Sequence, residues 1–287
     1  MTLAQEKEIE EQLRLLKAEP KPFYEGKHKK LYKITEKNKT LSNKVAEVFT
    51  DGKVGDIGNN NLRLAYALNF LFEVEVEGVQ THVYDACFDS GILVAECCRS
   101  IAKPDPKGRS VDVEWTLRNI CKDGKDVLSE NGKPDLEVHL KVDHIKGPTV
   151  DMKQLVKVHG VTERVIGECQ QDSYNIMEYF TKFVEQSTLG KRLKLKVHDL
   201  TLEFGLSSFG STVLVGGIST SSFRLSSAKG RATETFLNHA QSYQIMKQLL
   251  HNRMYEIAVG GEYEKIFGDP KQPKQNQKGE ILNDQGN

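Results

Sequence analysis

Apolar and polar residues alternate through most of the first half of the chain, and this period of two predicts β-strands. Strands are predicted in residues 22–50, 79–88, 91–98, 111–120 and 129–143. Residues 60–78 differ, because their apolar residues recur at helical spacing; they predict a helix that ends near Gly78. The first half is therefore predicted to be mostly β-structure with one long helix.

The second half begins with the clearest helix of the chain, residues 161–186, which carries a continuous apolar stripe. A strand is predicted next, in residues 193–205. Its apolar residues fall on odd numbers before His198 and on even numbers after Asp199. Such a change of phase predicts a β-bulge or a turn that points a side chain in a different direction. Residues 210–220 complete a predicted hairpin.

The order of these elements favours an α+β fold with two lobes. The predicted organisation is an N-terminal helix in residues 1–20, a main domain in 21–268 and a polar tail in 269–287. Within the main domain, a smaller β-rich lobe would cover residues 21–95 and a larger α+β lobe residues 96–268. The tail is rich in proline and glutamine, a composition typical of disorder.

Composition excludes several classes of protein. Forty basic and forty acidic residues give a formal net charge of zero, without the broad positive field typical of nucleic-acid binding. No apolar run approaches the roughly 20 residues of a membrane span, and the acidic N-terminus does not resemble a signal peptide. The five cysteines are odd in number and lack metal-ligand spacing, so no zinc site is predicted, and reduced thiols in a cytoplasmic protein are expected. The oligomeric state stays open, with a homo-oligomer as one alternative.

The segment from Pro22 to Ile34 is a candidate phosphate site. In a strand, Lys27 and Lys29 project to one face, directly after a glycine that would let a phosphate approach the backbone. The alternative is a hairpin whose lysines are solvated and protect its edge. The local sequence alone favours this alternative.

Carboxylates and arginines supply two further candidates. Asp199 and Glu203 share one face of a regular strand, and paired carboxylates suit Mg²⁺. Arg118 and Arg224 carry planar guanidinium groups that suit the bidentate binding of a phosphate or carboxylate. Surface acids and surface arginines are the ordinary alternatives for all four residues.

Six segments resemble, in one order, the motifs of the SAICAR synthase (phosphoribosylaminoimidazole-succinocarboxamide synthase) family of purine-pathway ligases. "YEGKHKKLY" resembles YEGK-x-K-x-x-Y, "GVQTHV" resembles GIPTHF and "VEWTLRNI" is similar to IEVVVRNIA. "KPDLEVHLKVD" follows the spacing of the family's next strand. "VHDLTLEFG" resembles LVDFKLEFG, and "VLVGGISTSSFRL" resembles VLADEISPDSCRL. The resemblance extends from Phe23 to Tyr243.

The resemblance implies a two-lobed α+β fold with ATP in the cleft between the lobes. The family phosphorylates a carboxylate on an imidazole nucleotide, and the amine of aspartate then displaces phosphate to form an amide. By resemblance, Lys27 and Lys29 would contact ATP, and Arg118 and Arg224 would bind the substrate's ribose phosphate. Glu203 would bind Mg²⁺, and Asp199 matches the carboxylate of the same strand, which makes these two the predicted catalytic and metal-binding residues.

Four positions depart from the family's pattern. Gly216 replaces a metal-binding aspartate, and Thr201 replaces a lysine. Ala240 and Gln244 replace a lysine and an arginine near the acceptor amine. Loss of these charges predicts weaker binding of Mg²⁺ and of aspartate.

The leading hypothesis is therefore a SAICAR-synthase-like ligase that uses ATP and Mg²⁺ and has altered metal and amine sites. Its substrates would be a phosphorylated imidazole or similar nucleotide and an amine such as aspartate. A nucleotide-binding protein that has lost catalysis is one alternative. A small-molecule kinase of related fold is the other, although Thr201 in place of the lysine argues against it.

Overall fold

The computed structural model describes residues 3–25, 29–35, 44–49, 57–119, 133–142, 145–215, 219–228 and 234–268. The helices in these ranges are α1 (Leu3–Leu15), α2 (Ile57–Glu75), α3 (Met152–His159), α4 (Glu163–Glu185), α5 (Thr188–Leu193), α6 (His239–Glu256) and α7 (Gly260–Phe267). The first strands are β1 (Tyr24–Glu25), β2 (Lys29–Lys33), β3 (Lys44–Phe49), β4 (Val83–Cys87), β5 (Ile92–Glu96) and β6 (Arg99–Ser100). The later strands are β7 (Val111–Arg118), β8 (Asp135–Val142), β9 (Ile145–Thr149), β10 (Lys196–Leu206), β11 (Thr212–Val215), β12 (Phe223–Ser227) and β13 (Thr235–Phe236).

The first five strands form one antiparallel sheet in the order β1-β2-β3-β5-β4. Helix α1 lies on one face of this sheet, because its apolar residues Ile9 and Leu13 pack into a small separate core with strand residues. The buried members of this core are Leu13, Ile34, Ala46, Val48, Ile92 and Val94. The N-terminal helix is thus observed, but it ends at Leu15.

The remaining strands form an eight-stranded sheet in the order β13-β12-β10-β7-β8-β9, with β6 and β11 also paired to β10. Alternation in β7, in β8 and in β10 after Asp199 gives this sheet two different faces. Its apolar face packs into the main core with α4, and its buried members include Val113, Trp115, Leu117, Val138, Leu200, Leu202 and Phe204. The opposite face, here called the polar face, comprises Asp112, Glu114, Thr116, Arg118, Glu137, His139, Lys141, Asp199, Thr201 and Glu203.

The two sheets meet at the segment Gln80–His82. Thr81 forms an isolated parallel bridge with Leu214 of β11, and the Leu214 amide donates to the Gln80 carbonyl at 2.8 Å. The buried His82 ring donates from Nδ1 to the Leu214 carbonyl at 3.0 Å. Its Nε2 lies 3.5 Å from Oε1 of Glu47, a buried residue of β3 in the other sheet. His82 therefore contacts both sheets.

The α+β class and the main elements predicted from the sequence are confirmed. Helix α4 covers nearly the whole predicted segment, and the pairing of β10 with β12 shifts register between Val197 and Asp199, where the bulge was predicted. Strands β10 and β11 form the predicted hairpin. Helix α2 ends at Glu75, earlier than predicted, and the chain continues through Val76 to a positive-φ Gly78.

The predicted domain bounds stay a prediction, and the tail 269–287 lies outside the described residues. The change from one sheet to the other occurs between Glu96 and Arg99. In the described part of the chain, no helix combines the length and apolar content needed to cross a bilayer.

Phe180 gives a test of the main core. Its side chain is fully buried in α4, and its ring lies 6.4 Å from Phe72 and 5.3 Å from Phe223. We expect Phe180→Ala to lower the free energy of unfolding by about 3–5 kcal/mol, measured by urea denaturation. Phe209→Ala is the matched control, because that ring is 93% exposed; its effect should stay within about 0.5 kcal/mol. Equal effects of the two variants would contradict the described packing.

Candidate functional site

The centre of the polar face is an arginine–aspartate–arginine contact. Asp199 of β10 lies opposite Arg118 of β7 on one side and opposite Arg224 of β12 on the other. Arg224 donates from Nε to Asp199 Oδ2 at 2.5 Å, and its Nη2 contacts the same oxygen. Arg118 Nη1 lies 3.6 Å from that oxygen. Three residues far apart in the sequence therefore converge on one point.

The bulge in β10 explains why Asp199 belongs to this face. Val197 pairs with Leu225 and Asp199 with the adjacent Arg224, so His198 is the extra residue of the bulge. Before the bulge, odd-numbered residues such as Val197 are buried with the core. After it, odd-numbered residues belong to the polar face. The predicted change of phase thus has a direct role in building the site.

Glu137 and His139 extend this cluster along β8. Arg118 Nη2 donates to Glu137 Oε2 at 2.8 Å, and His139 Nε2 lies 3.3 Å from the same oxygen. The hydrogen bond from Arg118 lowers the pKa of the Glu137 carboxyl, and His139 acts in the same direction. Sequence reasoning missed both residues. The available signal was the even spacing of Glu137, His139 and Lys141 in a strand that pairs with β7.

Phe236 and Glu234 support the arginine side of the cluster. The Arg224 guanidinium lies over the Phe236 ring at 5.7 Å, and the His198 ring contacts the same ring with centroids 4.6 Å apart. His198 Nε2 also lies 2.9 Å from Glu234 Oε1 and 2.8 Å from Ser226 Oγ. His198 is buried. Through Ser226 and Phe236, His198 contacts both β12 and β13.

A second charged cluster lies further along the polar face. Glu203 of β10 and Glu114 of β7 are directly opposite each other. Lys141 contacts the Glu203 carboxylate, and Lys146 of β9 contacts the Glu114 carboxylate. Burial alone would lower the pKa of Lys141, but Glu203, then Glu114 and Asp112, raise it above its ordinary value. Lys141 is therefore a firmly protonated residue.

Asp199 and Glu203 share a face, as their spacing predicts, but they do not converge. At 3.2–3.4 Å per residue, four residues of strand separate them by roughly 13 Å. Each is already paired with a basic side chain: Asp199 with two arginines, Glu203 with Lys141. Among the described residues, no group of three histidine, cysteine or acidic side chains could hold a metal ion. As placed, the two carboxylates do not fit a shared Mg²⁺ site.

The lysine segment forms a hairpin. Tyr24 pairs with Leu31, and Glu25 pairs with Lys30, whose Nζ lies 2.7 Å from the Glu25 carboxylate. Lys27 lies outside the described residues. Lys29 begins β2, where its backbone pairs with Phe49, but its side chain is outside the described part. The hairpin is thus observed, and the phosphate contacts of both lysines stay predictions.

The positions that depart from the family pattern are described except for Gly216. Thr201 lies opposite Thr116, and their hydroxyl oxygens are 3.2 Å apart, so a neutral contact separates the two charged clusters. Ala240 and Gln244 are exposed on the first two turns of α6. Neither supplies a cation to that surface.

Comparison with known proteins agrees with this architecture. A type-2 SAICAR synthetase in complex with ADP superposes with a TM-score of 0.59 and 22% identity, over 87% of this chain and 99% of that one. The enzyme from Ehrlichia chaffeensis gives 0.58 and 16%, over 83% and 99%. The Saccharomyces cerevisiae enzyme complexed with SAICAR gives 0.54 and 12%, over 84% and 86%. At these identities, the similarity shows a shared fold.

Sequence comparison is more specific than the structural similarity. No curated protein sequence matches the chain. The family model described as SAICAR synthetase, however, matches residues 22–263, which include both sheets and α2 through α6. This match covers most of the chain and every described residue of the polar face, and on that basis the chain belongs to the SAICAR synthetase family.

Proposed function

We propose that this protein is an ATP-dependent ligase that forms an amide on the carboxylate of a phosphorylated imidazole, or similar, nucleotide. The observation that carries the proposal is the convergence of Arg118 and Arg224 at Asp199, on the polar face of a SAICAR synthetase family member. The family match supports a ligase of purine biosynthesis. The identity of the substrates is our inference.

The two arginines are proposed to bind the substrate's phosphate. Arg118 uses Nη2 for Glu137 and Nη1 for Asp199, while Arg224 uses Nε and Nη2 for Asp199. Nη1 of Arg224 has no role in these contacts, and the Arg224 side chain is 45% exposed. Because carboxylates already hold both guanidinium groups, the arginine side chains lose little further conformational entropy when a phosphate binds in bidentate geometry. Asp199 therefore has the geometry of a positioning residue.

The proposed chemistry has two steps. A carboxylate oxygen of the nucleotide attacks the γ-phosphorus of ATP, and the bond from that phosphorus to the ADP oxygen breaks. The amine nitrogen then attacks the acyl carbon, phosphate leaves and the nitrogen loses a proton to give the amide. Lys27 and Lys29 are proposed to contact the ATP phosphates as point charges, which lowers the cost of bringing anions together.

We propose that the acceptor amine is a compound other than aspartate, or that aspartate binds here more weakly than it does in family members that keep the lysine and arginine. Aspartate carries two carboxylates, and its recognition requires cations at the acceptor site. Ala240 and Gln244 place a methyl group and a neutral amide on the exposed turns of α6, where the family has a lysine and an arginine. An amine with fewer negative charges suits this surface better.

A nucleotide-binding protein without catalysis is the second candidate. It is favoured by the pairing of Glu203 with Lys141 and of Asp199 with two arginines, which leaves both predicted catalytic carboxylates engaged. The described donors do not fit Mg²⁺, and transfer of phosphate normally depends on such charge neutralisation. In both candidates Arg118 and Arg224 bind the phosphate, but only the first candidate catalyses the ligase reaction.

The phosphate grip is tested by Arg118→Ala. Loss of a charge-assisted hydrogen bond should weaken binding of the carboxylated imidazole ribonucleotide by about 1.5–3 kcal/mol, or roughly 10- to 150-fold, measured by calorimetry. Arg164→Ala is the matched control, because Arg164 forms its ion pair with Glu168 on α4. That variant should bind like the wild type. Unchanged affinity in Arg118→Ala, with a normal thermal unfolding profile, would contradict the proposal.

Turnover is tested by ADP release from Mg·ATP and the same nucleotide, with and without aspartate. We expect release that depends on the nucleotide and increases little with aspartate, because α6 lacks the two cations. ADP release that requires both the nucleotide and aspartate would instead indicate the family's own reaction. No ADP release despite tight nucleotide binding would favour the second candidate.

A further inference from the structure

Lys141 lies among three carboxylates of the polar face. It is opposite Asp112 in the pairing of β8 with β7, and its ammonium contacts Glu203 of β10. Glu114 lies beside them, opposite Glu203. Because β7 separates β8 from β10, the two backbones lie two strand spacings apart, roughly 10 Å, and the Lys141 and Glu203 side chains together bridge this distance. The Lys141 side chain therefore extends over the acidic stretch of β7.

The acidic pair beneath this side chain needs a cation. Cβ atoms directly opposite each other on adjacent antiparallel strands lie about 4.5–5.5 Å apart, and like charges at this distance are destabilising. Glu114 and Glu203 are in this relation, and the Glu114 side chain is nearly buried. In many proteins a divalent cation neutralises such a pair. Here Lys141 contacts one carboxylate and Lys146 the other.

We infer that the Lys141 ammonium occupies the cation position at Glu203 and keeps divalent metal out of it. To bind Glu203, a divalent cation would have to displace the Lys141 ammonium, which is hydrogen-bonded to that carboxylate. It would also have to enter a site where the Glu114 carboxylate, on the residue directly opposite Glu203, is already paired with Lys146. The inference deepens the proposed function, since Glu203 is the residue that matches the family's metal ligand.

The exposure of the two lysines supports this assignment. The Lys141 side chain is 20% exposed, whereas Lys146 is 49% exposed, so Lys141 is the more enclosed of the two cations. A divalent cation at Glu203 would therefore have to displace the less accessible of the two ammonium groups.

Mn²⁺ binding, measured by loss of the free-ion paramagnetic resonance signal, tests the inference without nucleotide. Mn²⁺ is the probe because it prefers the same oxygen ligands as Mg²⁺. Wild-type protein should show no saturable binding in the micromolar range, and Lys141→Met should bind at least about tenfold more tightly than the wild type, since it frees Glu203. The added change Glu203→Gln should remove this gain. Lys182→Met, which breaks an exposed Glu–Lys pair on α4, is the matched control and should show no gain.

The outcomes separate this inference from the proposed function. Micromolar Mn²⁺ binding by the wild type that is lost in Glu203→Gln would overturn it, whatever the protein does with nucleotides. A gain in Lys141→Met no larger than in Lys182→Met would also overturn it. If circular dichroism shows that Lys141→Met does not fold, Lys141→Gln takes its place, and the wild-type comparison with Glu203→Gln still decides. Failure of nucleotide binding would bear on the proposed function alone.

Discussion

Charge on the polar face has to be balanced within the protein, and this constraint shapes the site. The alternation that buries Trp115 and Leu200 against α4 necessarily projects their neighbours onto the opposite side of the same strands. Several of those neighbours are ionisable and nearly buried, as Glu114 and Asp199 are. Unpaired charges in such positions would cost more than the fold could supply. Four of these carboxylates accordingly have a basic partner on an adjacent or next-adjacent strand: Glu114, Glu137, Asp199 and Glu203.

Pairing divides the polar face into two parts with different chemistry. Around Asp199 the cations are guanidinium groups, which keep unused N–H donors when bound to a carboxylate. Around Glu203 they are ammonium groups, which act as compact point charges. The Thr116–Thr201 contact lies between them. One part is therefore suited to receive an anion, and the other is internally neutralised.

Local features of this structure were predictable from the sequence because they depend on neighbours along the chain. The apolar stripe of α4 and the change of phase at His198 both need only spacing. The pairing of Asp199 with Arg118 and Arg224 was not predictable, because it requires knowing that β10 lies between β7 and β12. Lys141 was missed for the same reason, since its partner Glu203 is two strands away. Metal binding by Glu203 and Asp199 was therefore predicted from residue type alone, without knowledge of the basic side chains that pair with them.

The contact of His82 with both sheets has a consequence for stability. Its ring and the adjacent backbone bridge to Leu214 join the two sheets, and the Glu96 amide donates to the His82 carbonyl at 2.7 Å. The Ser208 amide, between β10 and β11, donates to the Glu96 carboxylate at 3.0 Å and adds a second polar connection. The main core also takes Leu93 from the first sheet. Loosening of either sheet at this point therefore weakens its attachment to the other.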